Sequence, residues 1–203
     1  VKLRVSWSIK KFFNNVGYNQ KLHHTVILDK NDDGEYVIRR VPIFEGEKQV
    51  SLRDLDFALE DDKYIDGELL SSEIYKAASK TSQDFDITSI TKMLHDSLIA
   101  DYSSGKKDEE GYPLVKGDAI DYTFWNLIIS PDRDLHFIDR KWHFGRDIPV
   151  DFILFRNMFY IYNTIGPFLD EKNKSSFIYR TINNIYPQYA PKRLNLNLRF
   201  EET

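Results

Sequence analysis

The sequence predicts an α+β fold with two lobes, because two kinds of hydrophobic pattern occupy different parts of the chain. β-branched and aromatic runs around a tight turn dominate the first part, whereas apolar residues three and four apart dominate from residue 68 onward. A short hairpin interrupts the helical part at residues 127–138. We therefore expect a small β-containing lobe over residues 1–63 and a mainly helical lobe over residues 64–203. Because folded-looking sequence begins at Val1, we also expect the chain to be part of a longer protein.

Two strands are predicted near the N-terminus, at residues 25–28 and 36–41. Both segments are rich in β-branched residues. The turn sequence N-D-D-G at residues 31–34 separates them, and Asp-Gly tolerates the positive φ of a hairpin turn. This combination predicts a β-hairpin.

Most of the remaining segments are predicted as helices. Within residues 45–63, Leu52, Leu55 and Leu59 recur at helical spacing after Ser51, a residue suited to a helix N-cap, and predict a short helix. Further helices are predicted at residues 68–78, at residues 87–100, from Pro149 to Gly166 and, as the last helix, at residues 174–185. The polar, glycine-containing segment 101–112 is predicted as an exposed loop.

Composition excludes several classes of function. The formal net charge is −4 and the basic residues are spread along the chain, which argues against a dedicated nucleic-acid binder. The absence of cysteine excludes disulfides, thiolate catalysis and Cys-ligated zinc, and it fits a reducing compartment, so that we expect a cytoplasmic protein. No apolar run approaches the roughly 20 residues that span a bilayer, and no signal-peptide pattern is seen, so no membrane span is expected.

The stretch D-Y-T-F-W-N-L-I-I-S-P-D-R-D-L-H-F-I-D-R-K-W, residues 121–142, predicts two short strands joined by a turn. Asn126 precedes the first strand and Asp139 follows the second, so antiparallel pairing brings them to one end of the hairpin. Asp121 lies on the loop that leads to the same end. Mg²⁺ prefers oxygen ligands together with substrate phosphates, and a third carboxylate can accept the proton of an attacking hydroxyl. The set therefore predicts phosphoryl transfer.

This stretch resembles the catalytic loop and metal-binding segment of protein kinases and of aminoglycoside-phosphotransferase-like kinases. D-Y-T-F-W-N has the D-x-x-x-x-N spacing of their catalytic loop, and F-I-D is similar to the segment that carries their metal-binding Asp. Over residues 115–160, the segments G-D-A-I-D-Y-T-F-W-N-L-I-I, L-H-F-I-D-R-K-W and I-P-V-D-F-I-L-F-R are especially similar to kinase-like domains attached to bacterial methyltransferases and glycosyltransferases of surface-polysaccharide (O-antigen) synthesis.

The resemblance implies a two-lobed protein-kinase-like fold with a reduced N-terminal β lobe, and ATP and Mg²⁺ as cofactors. By position, Asp121 would be the catalytic base, and Asn126 and Asp139 the metal ligands. Asp118 is the competing base, although it lies eight rather than five residues before Asn126. The implied reaction is phosphoryl transfer to a hydroxyl of a glycan or small molecule, with a fused or associated methyltransferase or glycosyltransferase as partner.

The resemblance also assigns a nucleotide-binding cation. The family's lysine falls on an arginine here: Y-V-I-R aligns with V-A-I-K through Arg39, and a shift of one residue selects Arg40. Strand alternation lets only one of the two face the nucleotide. The acidic partner of this cation would be Glu45, Glu47 or Glu60.

Residues 63–67 resemble the hinge between the lobes, where the backbone of Tyr64 and Ile65 would meet adenine. The chain also departs from the family. Its loop-like candidate for G-x-G-x-x-G, residues 14–18, has a single glycine, the His and Arg of H-R-D are missing, and Arg140 stands where a glycine follows the metal-binding Asp. These departures keep a second hypothesis open, namely a catalytically silent kinase-like module that binds a nucleotide or a protein within a larger polysaccharide-modifying assembly.

Overall fold

Short antiparallel strands and α-helices make up the part of the chain that the structure describes. The computed structural model describes residues 5–7, 24–42, 49–52, 54–81, 85–170, 174 and 176–202. In chain order the strands are β1 (Val5–Trp7), β2 (His24–Lys30), β3 (Tyr36–Pro42), β4 (Gln49–Leu52), β5 (Leu55–Ala58), β6 (Asp62–Lys63), β7 (Glu68–Leu69), β8 (Ser103–Lys107), β9 (Pro113–Val115), β10 (Leu127–Ile129), β11 (Leu135–Phe137), β12 (Trp142–Phe144) and β13 (Ile148–Pro149). The α-helices are α1 (Leu70–Thr81), α2 (Thr88–Tyr102), α3 (Val150–Ile165), α4 (Phe177–Asn183) and α5 (Pro191–Glu202). The predicted α+β class is confirmed.

The predicted N-terminal hairpin is present. β2 and β3 pair antiparallel, with Val26 opposite Arg40. Hydrogen bonds between Asn31 and Glu35 close the turn, and Gly34 takes a φ of 83°, which glycine adopts without steric cost. The sheet order is β1-β2-β3-β6, so β6 lies against the free edge of β3.

The helix predicted within residues 45–63 is wrong. In the described part of this segment β4 and β5 form an antiparallel hairpin, and β12 pairs with the other edge of β5. Phe57 and Leu59 recur at the period of two that a strand requires, which competes with the helical spacing of the leucines. Both side chains are buried in a cluster with Val50, against Trp142. Pairing and packing against the distant β12 therefore favour strands over a helix in this segment. The resulting sheet, β12-β5-β4, contains strands from both sides of residue 63.

The main hydrophobic core lies among α1, α2 and α3, which confirms the helices predicted at residues 68–78, at residues 87–100 and after Pro149. The fully buried core side chains on these helices include Leu70, Ile74, Leu94, Leu98, Ile153, Leu154, Phe155 and Met158. Burial of one such side chain stabilises the fold by roughly 1.5–3 kcal/mol. Within the described ranges, no helix has both the length and the apolar character needed to cross a membrane.

Segment 101–112 is only partly the exposed loop that its charge predicts. Helix α2 extends to Tyr102, and β8 then pairs with β9 around a turn in which Gly111 has a φ of 87°. Most residues of β8 are exposed, because the strand lies at the edge of the sheet β13-β9-β8. Charged side chains suit such an edge strand, so the polar sequence does not exclude a strand here.

The C-terminal region contains a helix that the sequence pattern did not predict. Helix α4 lies within the predicted segment 174–185, but it is not the last helix, because α5 follows. Pro191 begins α5, in agreement with the preference for proline in the first turn. The buried face of α5 carries Arg193 and Asn197, which both donate to Asp151 of α3. A polar buried face leaves no clear apolar stripe for periodicity to detect.

The second predicted hairpin is present as β10 and β11, with Leu127 opposite Phe137. Its sheet, β11-β10-β7, is separate from the sheet of β2 and β3. Gly67 permits the close approach of β7, since a Cβ at this position would lie 2.4 Å from the Ile129 carbonyl oxygen. The hairpin is thereby held beside the segment that joins β6 to α1.

Candidate active site

A tight loop holds Asp121 and Asn126 together. Residues Gly117–Asp121 form a 3-10 turn, and the Thr123 N–H donates to the Asp121 carbonyl over 2.8 Å. The buried side chain of Asn126 donates through Nδ2 to the Asp121 carbonyl oxygen (3.0 Å) and to Asp121 Oδ2 (2.7 Å). The D-x-x-x-x-N spacing thus lets the asparagine reach back to the aspartate. Because Nδ2 makes both contacts, the amide oxygen of Asn126 is directed away from Asp121.

Helix α3 anchors this loop through two neighbouring side chains. Asn157 accepts a hydrogen bond from the Phe124 N–H at 2.7 Å and donates to the Tyr122 carbonyl at 3.0 Å. The Arg156 guanidinium donates to the Ile120 carbonyl. Asn157 itself is fully buried. These contacts fix the backbone on both sides of the predicted base.

Tyr122 is buried directly after the predicted base. Its hydroxyl lies 2.7 Å from Ser97 Oγ, and its ring packs edge-on against Tyr102 and Phe137. Loss of solvation on burial raises the pKa of Tyr122 to about 12, although the hydrogen bond with Ser97 acts in the opposite direction. The hydroxyl therefore stays protonated at physiological pH and contributes to packing rather than to proton transfer.

Asn126 also connects the loop to the strand that leads to Asp139. The Ile138 N–H donates to the Asn126 carbonyl over 2.8 Å, which extends the β10–β11 ladder. Asp139 follows with a φ of 59°. This left-handed conformation is uncommon for residues other than glycine, although aspartate is enriched in it. The structure thus brings Asp121, Asn126 and Asp139 to the same end of the hairpin, as the pairing argument predicted.

Arg40 joins the N-terminal hairpin to Asp139. Its Nε lies 3.1 Å from Asp139 Oδ1, across 99 residues of sequence. Arg40 Nη2 lies 3.0 Å from Asp62 Oδ2, and Nη1 donates to the Glu60 carbonyl over 2.6 Å. The Arg40 side chain is only 5% exposed, and that of Asp62 only 9%. A buried arginine with two carboxylate partners therefore links β3 and β6 to the end of the second hairpin.

The structure distinguishes between the two candidate arginines. Arg39 is 45% exposed and contacts Asp29 at 3.5 Å on the outer side of the sheet, whereas Arg40 faces the site. Arg40 contacts the carboxylate of Asp62 in β6. Glu60, one of the predicted acidic partners, contacts Arg40 through its backbone carbonyl and not through its side chain. The other predicted partners, Glu45 and Glu47, and the predicted loop at residues 14–18 lie outside the described residues.

Two further cations complete the arrangement. Lys141 Nζ lies 2.8 Å from Asp139 Oδ2, and Arg140 Nη2 lies 3.3 Å from Asp62 Oδ1. The Asp139 N–H also donates to Asp62 Oδ2 over 3.1 Å. We call the side chains of Arg40, Asp62, Asp139, Arg140 and Lys141 the charge cluster. Sequence reasoning missed Asp62 and Lys141, and the available signals were the D-D pair at residues 61–62 and the D-R-K triplet at residues 139–141.

An open cavity of about 540 Å³ lies beside the predicted hinge. Its lining includes Ile65 from the hinge, Asp62 and Arg140 from the charge cluster, and residues from the end of α2 and from β11. Tyr64, the other predicted hinge residue, does not line the cavity, and its half-exposed ring packs edge-on against Tyr36 with centroids 6.0 Å apart. Neither the Asp121–Asn126 pair nor Asp139 lines this cavity. The cavity therefore adjoins the candidate site without containing its predicted catalytic groups.

The competing base, Asp118, occupies a different environment. It lies on the same 3-10 turn, but its carboxylate contacts Nδ1 of His143 in β12, and both side chains are at least half exposed. Among the described residues, Asn126 contacts Asp121 and not Asp118. The local geometry thus favours Asp121 as the partner of Asn126.

Neither a cluster of metal-binding side chains among the described residues nor a similar known protein indicates the chemistry of the site. Among the residues that the structure describes, no group of three or more His, Asp or Glu side chains is arranged to hold a metal ion. Compared with protein-family models, curated proteins and solved structures, the chain gives no significant match. The chemistry of the site is therefore inferred from its own geometry.

Proposed function

We propose that this chain is an ATP- and Mg²⁺-dependent phosphotransferase that transfers the γ-phosphoryl group to a hydroxyl of a glycan or small molecule. The observation that carries the proposal is the contact between Arg40 and Asp139. Arg40 is one of the two arginines that the resemblance offers as the nucleotide-binding cation, Asp139 is a metal ligand that it implies, and the two residues belong to segments far apart in sequence. A chance resemblance of short motifs gives no reason for such side chains to meet.

The proposed roles follow from the local contacts. Asp121 orients the acceptor hydroxyl and accepts its proton, while Asn126 holds Asp121 in place through two hydrogen bonds. Arg40 is the cation that faces the nucleotide phosphates. In this proposal residues 1–63 and 64–203 are the two lobes of a kinase-like fold, and the hinge includes Tyr64 and Ile65. A cytoplasmic location and a methyltransferase or glycosyltransferase partner complete the proposal.

Asn126 and Asp139 fit a magnesium site with few protein ligands, in which water and phosphate supply most of the coordination. The amide oxygen of Asn126 and the carboxylate of Asp139 are the groups that would hold the magnesium ion. When bound, the ion would neutralise the negative charge that phosphoryl transfer concentrates on the phosphate oxygens. In the structure, however, both oxygens of Asp139 already contact cations, Arg40 and Lys141.

That last feature favours a second candidate function, a catalytically silent module that binds a nucleotide or a protein. Arg140 stands where kinases have a glycine after the metal-binding Asp, and the next residue, Lys141, neutralises the Asp139 carboxylate directly. A nucleotide-binding silent module would bind ATP without transferring phosphate, whereas a protein-binding one would bind no ATP. Binding and transfer therefore separate the candidates.

The test is calorimetric titration of ATP in the presence of Mg²⁺, followed by phosphate transfer from labelled ATP to a pool of glycan and small-molecule acceptors. The decisive variant is Asp139→Asn, because asparagine tolerates the left-handed conformation of this residue and removes only the charge. We expect a loss of about tenfold or more in Mg²⁺-dependent ATP affinity. Asp132→Asn, in the exposed turn of the same hairpin, is the matched control and should behave like the parent. Equal ATP affinity in both variants would refute the proposed metal site.

A further inference from the structure

The side chain of Lys141 is held close to Asp139 by its backbone. The Lys141 N–H donates to the Asp139 carbonyl, and the Lys141 carbonyl accepts from the Ala58 N–H, each over 2.8 Å. Both peptide groups of Lys141 are therefore fixed, one within the turn and one against β5. The side chain is only 14% exposed, and its Nζ lies 2.8 Å from Asp139 Oδ2. Lys141 is thus a partner built into the fold rather than a mobile surface lysine.

The carboxylates of the charge cluster are already neutralised by its cations. The cluster combines three cations, Arg40, Arg140 and Lys141, with the two carboxylates of Asp62 and Asp139, which leaves one excess positive charge. Asp61, whose Oδ1 accepts from the Arg40 N–H, adds a third carboxylate, so that these six described side chains have no net charge. A divalent cation that entered alone would meet an already neutralised carboxylate and three positive side chains. Like charges at such short range repel strongly when they are partly shielded from water.

Resting on the proposed function, we infer that Lys141 is the resident counter-cation of Asp139, and that a divalent cation reaches this carboxylate only together with the phosphates of a nucleoside triphosphate. The phosphates supply the negative charge that the cluster lacks for an additional cation. They also offer Lys141 new charge-assisted hydrogen bonds in place of Asp139. A lysine suits this exchange because its ammonium is a compact point charge on a flexible stem. Metal and nucleotide binding are therefore coupled through Lys141.

The first arm of the test measures Mn²⁺ binding to the nucleotide-free protein by electron paramagnetic resonance. We expect the Mn²⁺ affinity of Lys141→Ala to exceed that of the parent by about tenfold or more, because a positive charge next to the ion has been removed. Lys141→Arg keeps the charge and should stay like the parent. The control Lys106→Ala removes an exposed lysine from an ion pair elsewhere, with Asp147 at 2.9 Å, and should also stay like the parent. Equal Mn²⁺ affinity in the parent and Lys141→Ala, or no binding to either at millimolar concentration, would overturn the inference.

The second arm compares ATP affinity in EDTA and in Mg²⁺. Lys141→Ala should bind ATP more weakly than the parent in EDTA, since a phosphate-binding cation is lost, and its ratio of Mg²⁺ to EDTA affinity should rise by about tenfold. An unchanged ratio would count against the exchange of Lys141 from Asp139 to phosphate. If neither protein binds ATP under either condition, the proposed function fails. The Mn²⁺ arm still shows, in that case, whether Lys141 prevents a divalent cation from binding Asp139. Thermal unfolding of each variant confirms that the fold is retained.

Discussion

The Arg40 guanidinium contacts the Asp139 carboxylate through Nε and Oδ1 at 3.1 Å, although Arg40 lies in the N-terminal hairpin and Asp139 follows the second hairpin. Arg40 is almost fully buried and also contacts Asp62. Removal of one partner from such an arrangement leaves buried charge uncompensated, and the cost usually exceeds the net contribution of the pair itself. The contact therefore matters for stability as well as for the proposed chemistry.

The first prediction compares the two neighbouring arginines of β3. Arg40→Ala should lower the free energy of unfolding by about 3 kcal/mol, the lower end of the range for breaking a buried ion pair, because Arg140 and Lys141 still neutralise Asp62 and Asp139. Arg39→Ala removes an exposed pair with Asp29 and should change stability by less than about 0.5 kcal/mol. Urea unfolding measures both. Similar effects of the two variants would contradict the assignment of Arg40 to the interior.

The second prediction concerns Asn157, which anchors the loop that carries the proposed base, Asp121. Asn157→Ala leaves the Phe124 N–H and the Tyr122 carbonyl without their side-chain partner and should cost about 2–4 kcal/mol in the free energy of unfolding. Asn163→Ala, at an exposed position of the same helix, is the matched control. Because Asn157 fixes the backbone next to Asp121, phosphate transfer should fall in Asn157→Ala even at temperatures where the variant is folded. Full activity together with reduced stability would restrict Asn157 to a structural role.

Local patterns predicted the hairpins and the main helices, but not the contacts that depend on distant segments. The turn at residues 31–34 and the apolar strands around Asn126 carry their own conformational preference, so both hairpins were predicted correctly. Leu55 and Leu59 fit helical spacing with Leu52 and also, with Phe57, the period of two of a strand, and only the pairing of β5 with β12 selects the strand. Asp62 was missed because its partner Arg40 lies on a distant strand, and Lys141 was missed because the D-R-K triplet does not by itself show which side chain turns back to Asp139.

The third prediction uses the raised pKa of Tyr122, which is about 12 in the folded state against an ordinary value near 10. The folded state keeps this proton while the unfolded chain loses it. The stabilisation is therefore fully present below pH 10 and is lost as the pH rises to 12. At pH 11 the parent should have lost about 1.4 kcal/mol through this group.

Tyr122→Phe removes the titrating hydroxyl, so its free energy of unfolding should fall less between pH 9 and pH 11, by about that amount. Urea unfolding at the two pH values measures the difference. Tyr36→Phe, at a residue that is 52% exposed, is the control for removal of a tyrosine hydroxyl. An equal drop in the parent and in Tyr122→Phe would mean that solvent reaches this hydroxyl.

The last prediction separates the two candidate bases and, with them, the active enzyme from the silent module. Asp121→Asn is close to isosteric, and the new side chain can still accept from Asn126 Nδ2 through its amide oxygen, so the loop should keep its geometry. Because Asp121 is assigned to the acceptor hydroxyl and not to the nucleotide, ATP affinity should stay near that of the parent. Transfer should fall by about 10²- to 10⁴-fold, the usual effect of losing a general base.

Asp118→Asn changes only the exposed contact with His143 and should transfer phosphate at a rate close to the parent's. The measurement is transfer from labelled ATP to the acceptor pool by all three proteins, with ATP affinity determined in parallel. A parent-like rate in Asp121→Asn with a large loss in Asp118→Asn would move the base to Asp118, whereas ATP binding without transfer by any of the three, the parent included, would favour the silent module.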